Sequence, residues 1–125
     1  MNKIIHTETA PAAIGPYSQA VQAGNLLFVS GQIPVDPATG AFAGDDISVQ
    51  ARQSLTNVKN ILEAAGYTLA DVVKTTVLLD DMANFAAVNA VYSEFFTENC
   101  PARACFGAKA LPKGALVEIE AIAAK

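Results

Sequence analysis

The stretch "DVVKTTVLLDDMANFAAVNAVYSEFF", residues 71–96, decides the class of fold. Its first nine residues, Asp71 to Leu79, are largely β-branched or apolar and are bounded by acids, which is the composition of a strand. The period then changes. Met82, Phe85, Val88, Tyr92 and Phe95 fall three or four apart, one stripe of an α-helix opened by Asp80 or Asp81 and closed before Pro101.

Upstream lies a second helical stripe, Ile47, Ala51, Leu55, Val58, Leu62 and Ala65, with Asp46 able to cap its start and Gly66 its end. Before it, "AVQAGNLLFVSG" (20–31) reads as two short strands around the turn pair Gly24-Asn25. "LLFV" is apolar on consecutive positions, as in a strand buried on both faces. "SGQIPVDPATGAFAGDD" (30–46) is an irregular connection of the length that often carries function. Downstream, residues 102–109 and 115–123 read as two further strands joined by "LPKG", with a turn at Pro112-Lys113-Gly114 that would fold them into a hairpin. A short extra strand is expected at Lys3 to His6. The order strand, strand, helix, strand, helix, strand, strand is an α+β pattern in one domain of 125 residues.

Two helices cover one face of such a sheet and no more. Both Val73/Thr75/Val77/Leu79 and Val72/Thr76/Leu78 call for shelter, so a second copy of the chain is expected against the open face. Composition agrees, with 52% apolar and only 16% charged residues, less polar surface than an average domain carries. The net charge of -4 and the absence of any Lys/Arg run leave no footprint for nucleic acid or an anionic membrane. The amino terminus lacks a signal-like apolar stretch and nothing is long enough to span a bilayer, so a cytoplasmic location is expected. Cys100 and Cys105, five apart, are expected to be reduced thiols.

Chemistry has few candidates. Alternation puts Arg103 and Cys105 on one face of their strand, and Glu118 and Glu120 together on theirs. In a hairpin, Arg103 would approach a glutamate across the ladder, and from spacing alone an ordinary cross-strand ion pair is the simpler account. Arg103 is still the residue to hold a carboxylate ligand, because its planar fork donates two parallel hydrogen bonds. The single histidine, His6, leaves no Ser-His or Cys-His pair elsewhere and no zinc set without it, and no phosphate-cradling glycine pattern follows a strand, so neither metal nor nucleotide cofactor is expected. Taken singly, Tyr17, Ser30, Gly31, Asn89 and Cys105 are as readily packing, turn or solvated residues as ligand contacts.

Together, "APAAIGPYSQA", "LLFVSGQIPVDPATG", "QARQSLTNVKNILEAAG", "VVKTTVLLDDMANFAAVNAVYSEFF" and "PARAC…ALPKGALVEIEAIA" resemble, in this order and nearly this spacing, the reactive intermediate deaminase family, RidA (formerly YjgF). The similarity covers essentially the whole chain. It implies a chorismate-mutase-like α+β fold with two helices on one face of a mixed sheet. It also implies a homotrimer with an inner barrel and ligand clefts between subunits. The implied activity is cofactor-free hydrolysis of 2-imino and enamine acids, such as 2-aminoacrylate and 2-iminopropanoate, to 2-oxo acids and ammonia. On this resemblance Arg103 clamps the substrate carboxylate, Glu118 holds the attacking water, and Tyr17, Ser30, Gly31, Asn89 and Cys105 line the cleft. "FFTENCPARAC" is shorter than the "FPARSCVEV" form of many deaminases, and Phe106 and Gly107 stand where Val and Glu are common. Both departures bear on cleft size. A non-catalytic 2-oxo acid binder is the alternative, and a ribonuclease role, attached to some relatives, conflicts with the acidic pI of about 4.7.

Overall fold

In the computed structural model, which describes residues 1–125, Asp46 starts the first helix by accepting hydrogen bonds from the N–H groups of Ser48 (3.0 Å) and Val49 (3.2 Å). Two donors that a helix start leaves without partners are thereby satisfied. Gly66, at φ +82°, ends the helix in a conformation that costs glycine little. In chain order the elements are β1 (Lys3–Ile5), β2 (Ala20–Ala23), β3 (Leu26–Gln32), α1 (Ile47–Ala64), β4 (Val72–Leu79), α2 (Phe85–Phe95), β5 (Ala102–Gly107) and β6 (Val117–Ala124). Short 3-10 turns precede β4, α2 and β6.

The strands form one sheet in the order β1-β2-β3-β6-β4-β5, with β4 and β5 parallel and every other pair antiparallel. The expected hairpin between the last two strands is absent, because β4 lies between them. The reason is the connection through α2. A helix carries the chain back to the start of the sheet, so β5 runs parallel to β4 and takes the place outside it. β6 fills the slot between β3 and β4, where both its edges are paired and Val117, Ile119, Ala121 and Ala123 all point into the core. Against them α1 sets Ala51, Leu55, Val58, Ile61 and Leu62, all inaccessible to solvent. Each fully buried leucine or isoleucine contributes about 1.5–3 kcal/mol relative to exposure.

Two alternations differ from the simple pattern. A bulge between Val72 and Lys74 puts Val72 in the core with Thr75, Val77 and Leu79, and leaves Val73 exposed. "LLFV" is buried on one face only within the chain: Leu27 and Val29 point inward, whereas Phe28 is 43% exposed. The pairings Ile4↔Val21↔Phe28↔Ile122 and Phe106↔Leu78↔Glu118 place these side chains on the face away from the helices. That face has no cover from the chain itself. No helix is long and apolar enough to cross a membrane.

Candidate active site

Glu118 stands on the open face of β6, where β3 beside it departs from regular pairing between Val29 and Gln32. Ser30 and Gly31 occupy that irregularity. A Cβ on Gly31 would strike Oε2 of Glu118 and come within 2.9 Å of its Cδ. Glycine is needed here for space. The Glu118 side chain makes no hydrogen bond or ion pair within the chain, and it is half-buried. Burial raises its pKa above the ordinary glutamate range, and the neighbouring charge of Glu120 adds to the rise.

Glu118 lines a cleft of about 960 Å³ together with Tyr17, Ser30, Gly31, His6 and Lys113. Ser30 Oγ donates to the Ser18 carbonyl at 2.6 Å, and the Ser30 N–H bonds to the Gln19 carbonyl at 2.9 Å, so the segment carrying Tyr17 is tied to the bulge. Two buried amides frame the cleft, and a third ties the start of β6 to the loop before α1. Gln19 receives the Thr7 N–H and donates to the carbonyls of Thr7 and Pro11, fastening the amino-terminal segment. Asn57, fully buried on α1, donates to the carbonyls of Ile33 and Val35. Gln50, two turns earlier on the same face of α1, donates to the Gly44 carbonyl and accepts the Leu116 N–H just before β6. Sequence reasoning passed over all three; Gln50 and Asn57, seven apart on α1, carried a signal as polar residues at core spacing.

Arg103 lies on the other face. In β5 it pairs with Thr75, whose side chain is buried under the helices, and it reaches toward α2. Its Nη1 donates to Asn89 Oδ1 at 2.8 Å, and its Cζ sits 4.8 Å from the ring centre of Tyr92 and 5.5 Å from that of Phe85. Phe85, Asn89 and Tyr92 are spaced i, i+4, i+7 and form one stripe of α2. Cys105 follows on the same strand face, partly buried against the core. Burial pushes its thiol pKa up, opposed by the nearby guanidinium.

The cross-strand ion pair expected from spacing does not form. With β4 between their strands and their side chains on opposite faces, Arg103 and Glu118 of one chain cannot meet. The chain's ion pairs are Arg52–Glu94 and Lys59–Glu63. Of the site residues expected from sequence, Tyr17, Ser30, Gly31 and Glu118 are together in the cleft, and Asn89, Arg103 and Cys105 are grouped on the opposite side of the sheet. No group of three His, Cys, Asp or Glu side chains converges in metal-ligand fashion.

The family model for Endoribonuclease L-PSP matches residues 7–125. A RutC family protein of Pyrococcus horikoshii is 58% identical over 125 residues, covering 100% of this chain and 99% of the relative. The 2-iminobutanoate/2-iminopropanoate deaminase of Salmonella typhimurium is 58% identical over 128 residues, covering 100% of this chain and 99% of the relative. The crystal structure of Escherichia coli TdcF with bound serine superposes with a TM-score of 0.95 at 49% identity, covering 98% of each chain.

Proposed function

Since the chain belongs to the RidA (YjgF) family, described by the Endoribonuclease L-PSP model, we propose that it hydrolyses reactive 2-imino acids and their enamine tautomers to 2-oxo acids and ammonia. It does so in the cytoplasm, as one domain spanning residues 1–125, without metal or cofactor.

The observation that carries this reading is that Arg103 and Glu118 both lack an ionic partner and stand on opposite faces of one sheet. A guanidinium not neutralised by a carboxylate of its own chain is free to take one from a ligand. The two half-sites are different surfaces, so a second copy would join them head to tail, and such a contact repeated makes a ring where its rotation closes. A homotrimer is the ring proposed, with the bare sheet faces turned inward over Phe28, Ile122 and Phe106.

In each joint cleft, Arg103 of one copy grips the substrate carboxylate through two hydrogen bonds. Glu118 of the next copy accepts a proton from water as the water oxygen bonds to the imine carbon, and passes that proton to the imine nitrogen. The resulting carbinolamine gives its hydroxyl proton through Glu118 to the nitrogen, ammonia leaves as the C–N bond breaks, and the hydroxyl oxygen becomes the 2-oxo oxygen. Water is consumed, ammonia leaves, and no redox change occurs. An imine carbon is already electrophilic, so placement and proton transfer suffice. A raised pKa makes Glu118 a stronger base toward water, and the proton it gains passes on to the nitrogen, a more basic group than a carboxylate.

The test generates 2-iminopropanoate in situ and follows its loss above the spontaneous rate, with Arg103→Ala as control. Equal rates for wild type and blank would refute turnover. Mixing inactive Arg103→Ala and Glu118→Gln chains then probes the shared cleft: random reassembly restores about a quarter of intact sites if each site draws on two copies, and none if it does not. A binding role without turnover is the second reading. It is favoured by the serine-bound TdcF relative, and would show as 2-oxo acid binding with no rate enhancement.

A further inference from the structure

We propose that Tyr92 and Phe85, with Thr75 beneath them, are positioning residues that orient the Arg103 guanidinium before any ligand arrives. This inference rests on the reading of Arg103 as the carboxylate clamp.

Arg103 is an exposed residue on an edge strand, and a free arginine there samples many rotamers. Two aromatic rings and one amide restrict it. Tyr92 is buried, its ring centre 4.8 Å from the guanidinium carbon, and Phe85 offers a second ring at 5.5 Å. Attraction of a cation to an aromatic face acts at this range. The Tyr92 hydroxyl lies 2.7 Å from Thr75 Oγ1 inside the core, which fixes the tip of the ring. Thr75 is itself the register partner of Arg103, so one strand rung supplies both the cation and the anchor of its platform. Tyr92 also stacks on Phe96 at 4.7 Å between centres, which holds the ring from its other neighbour. Burial raises the Tyr92 pKa, keeping the hydroxyl protonated for this bond.

Asn89 occupies Nη1. The edge formed by Nε and Nη2 has no partner in the chain, and it is the edge that matches a carboxylate with two parallel bonds. The rings therefore decide where that edge points. Orientation fixed in the free protein lowers the entropy lost when a ligand binds. The consequence is specific: loosening the platform weakens binding and leaves the proton-transfer step alone.

The variants are Tyr92→Leu, Tyr92→Phe and Phe85→Leu in the full chain. The readouts are the ¹⁵N order parameter of Arg103 Nε–H without ligand, the dissociation constant for 2-oxobutanoate, and the separate effects on KM and kcat. Tyr92→Leu should lower the order parameter and raise both KM and the dissociation constant about tenfold, with kcat within about twofold. Tyr92→Phe keeps the ring, so its affinity should stay within about threefold of wild type even where the protein melts earlier. Phe85→Leu, at the more distant ring, should show the Tyr92→Leu effect in smaller measure and serves in its place should that variant not fold. An unchanged Arg103 order parameter in the folded leucine variant overturns the proposal, as does a fall in kcat without a rise in KM. Failure of wild type to bind 2-oxobutanoate or turn over imine would instead refute the deaminase reading, and the order parameters would still judge the platform.

Discussion

Glu118 and Arg103, the two residues proposed to act together, have opposite surroundings. Glu118 sits in a recess, against a glycine, framed by loops that Gln19 and Asn57 hold from within the core. Arg103 sits in the open on an edge strand, held by an amide and two rings. A carboxylate changes its chemistry when water is removed, because burial moves its pKa. A guanidinium does not lose its proton in either setting, so what surroundings can alter is its direction. In the proposed roles, the acid draws on its recess and the cation on its mount.

The sharpest break is Glu118→Gln, which keeps the shape and removes the base: kcat should fall by about 10²–10⁴ while 2-oxobutanoate binding changes little. The same substitution should not destabilise. A carboxyl with a raised folded-state pKa binds more protons folded than unfolded, so stability declines as pH rises from the ordinary glutamate value through the raised one. At neutral pH that loss is present in wild type and absent in the glutamine variant, whose melting temperature should equal or exceed wild type. Correspondingly, the acid limb of kcat/KM should lie above the ordinary glutamate pKa and disappear in Glu118→Gln.

Arg103→Ala comes next, with kcat/KM down by about 10²-fold and Arg103→Lys recovering only part, since a point charge cannot form two parallel bonds. Gly31→Ala sharpens the comparison further. Its Cβ meets the flexible end of Glu118, so the carboxylate is displaced and the fold survives; activity should drop roughly tenfold or more with the melting temperature almost unmoved. Asn57→Ala reverses that pattern. It leaves the Val35 carbonyl without a donor and takes one of two donors from the Ile33 carbonyl, lowering stability by about 1–3 kcal/mol in denaturant titration, with a smaller effect on rate.

Much of this was legible in local pattern. The stripe of α1, that of α2 from Phe85 onward, the cap at Asp46, the stop at Gly66 and the turn at Gly24-Asn25 all follow from interactions within a few residues and are where spacing implied, whereas Met82 lies exposed in the 3-10 turn before α2. What failed is equally instructive. "LPKG" looks like a hairpin turn, yet the strands it separates are not neighbours, because β5 lies parallel outside β4 and β6 takes the place between β3 and β4. Strand order is a choice among partners far apart in the chain, and alternation cannot register it. The bulge at Val73 is invisible for the same reason: one extra residue reverses the face of everything before it.

Arg103 and a nearby glutamate were recognisable as residue types suited to grip a carboxylate and direct water, whereas Tyr17, Ser30, Gly31, Asn89 and Cys105 became candidates only through the family resemblance. Sequence also determined that the sheet would have one uncovered apolar face. It was the tertiary structure alone that put β4 between Arg103 and Glu118 and turned the two away from each other. A strand's side-chain period is intrinsic to its backbone, whereas its neighbour, its register and the face it turns to the helices depend on how the whole sheet packs.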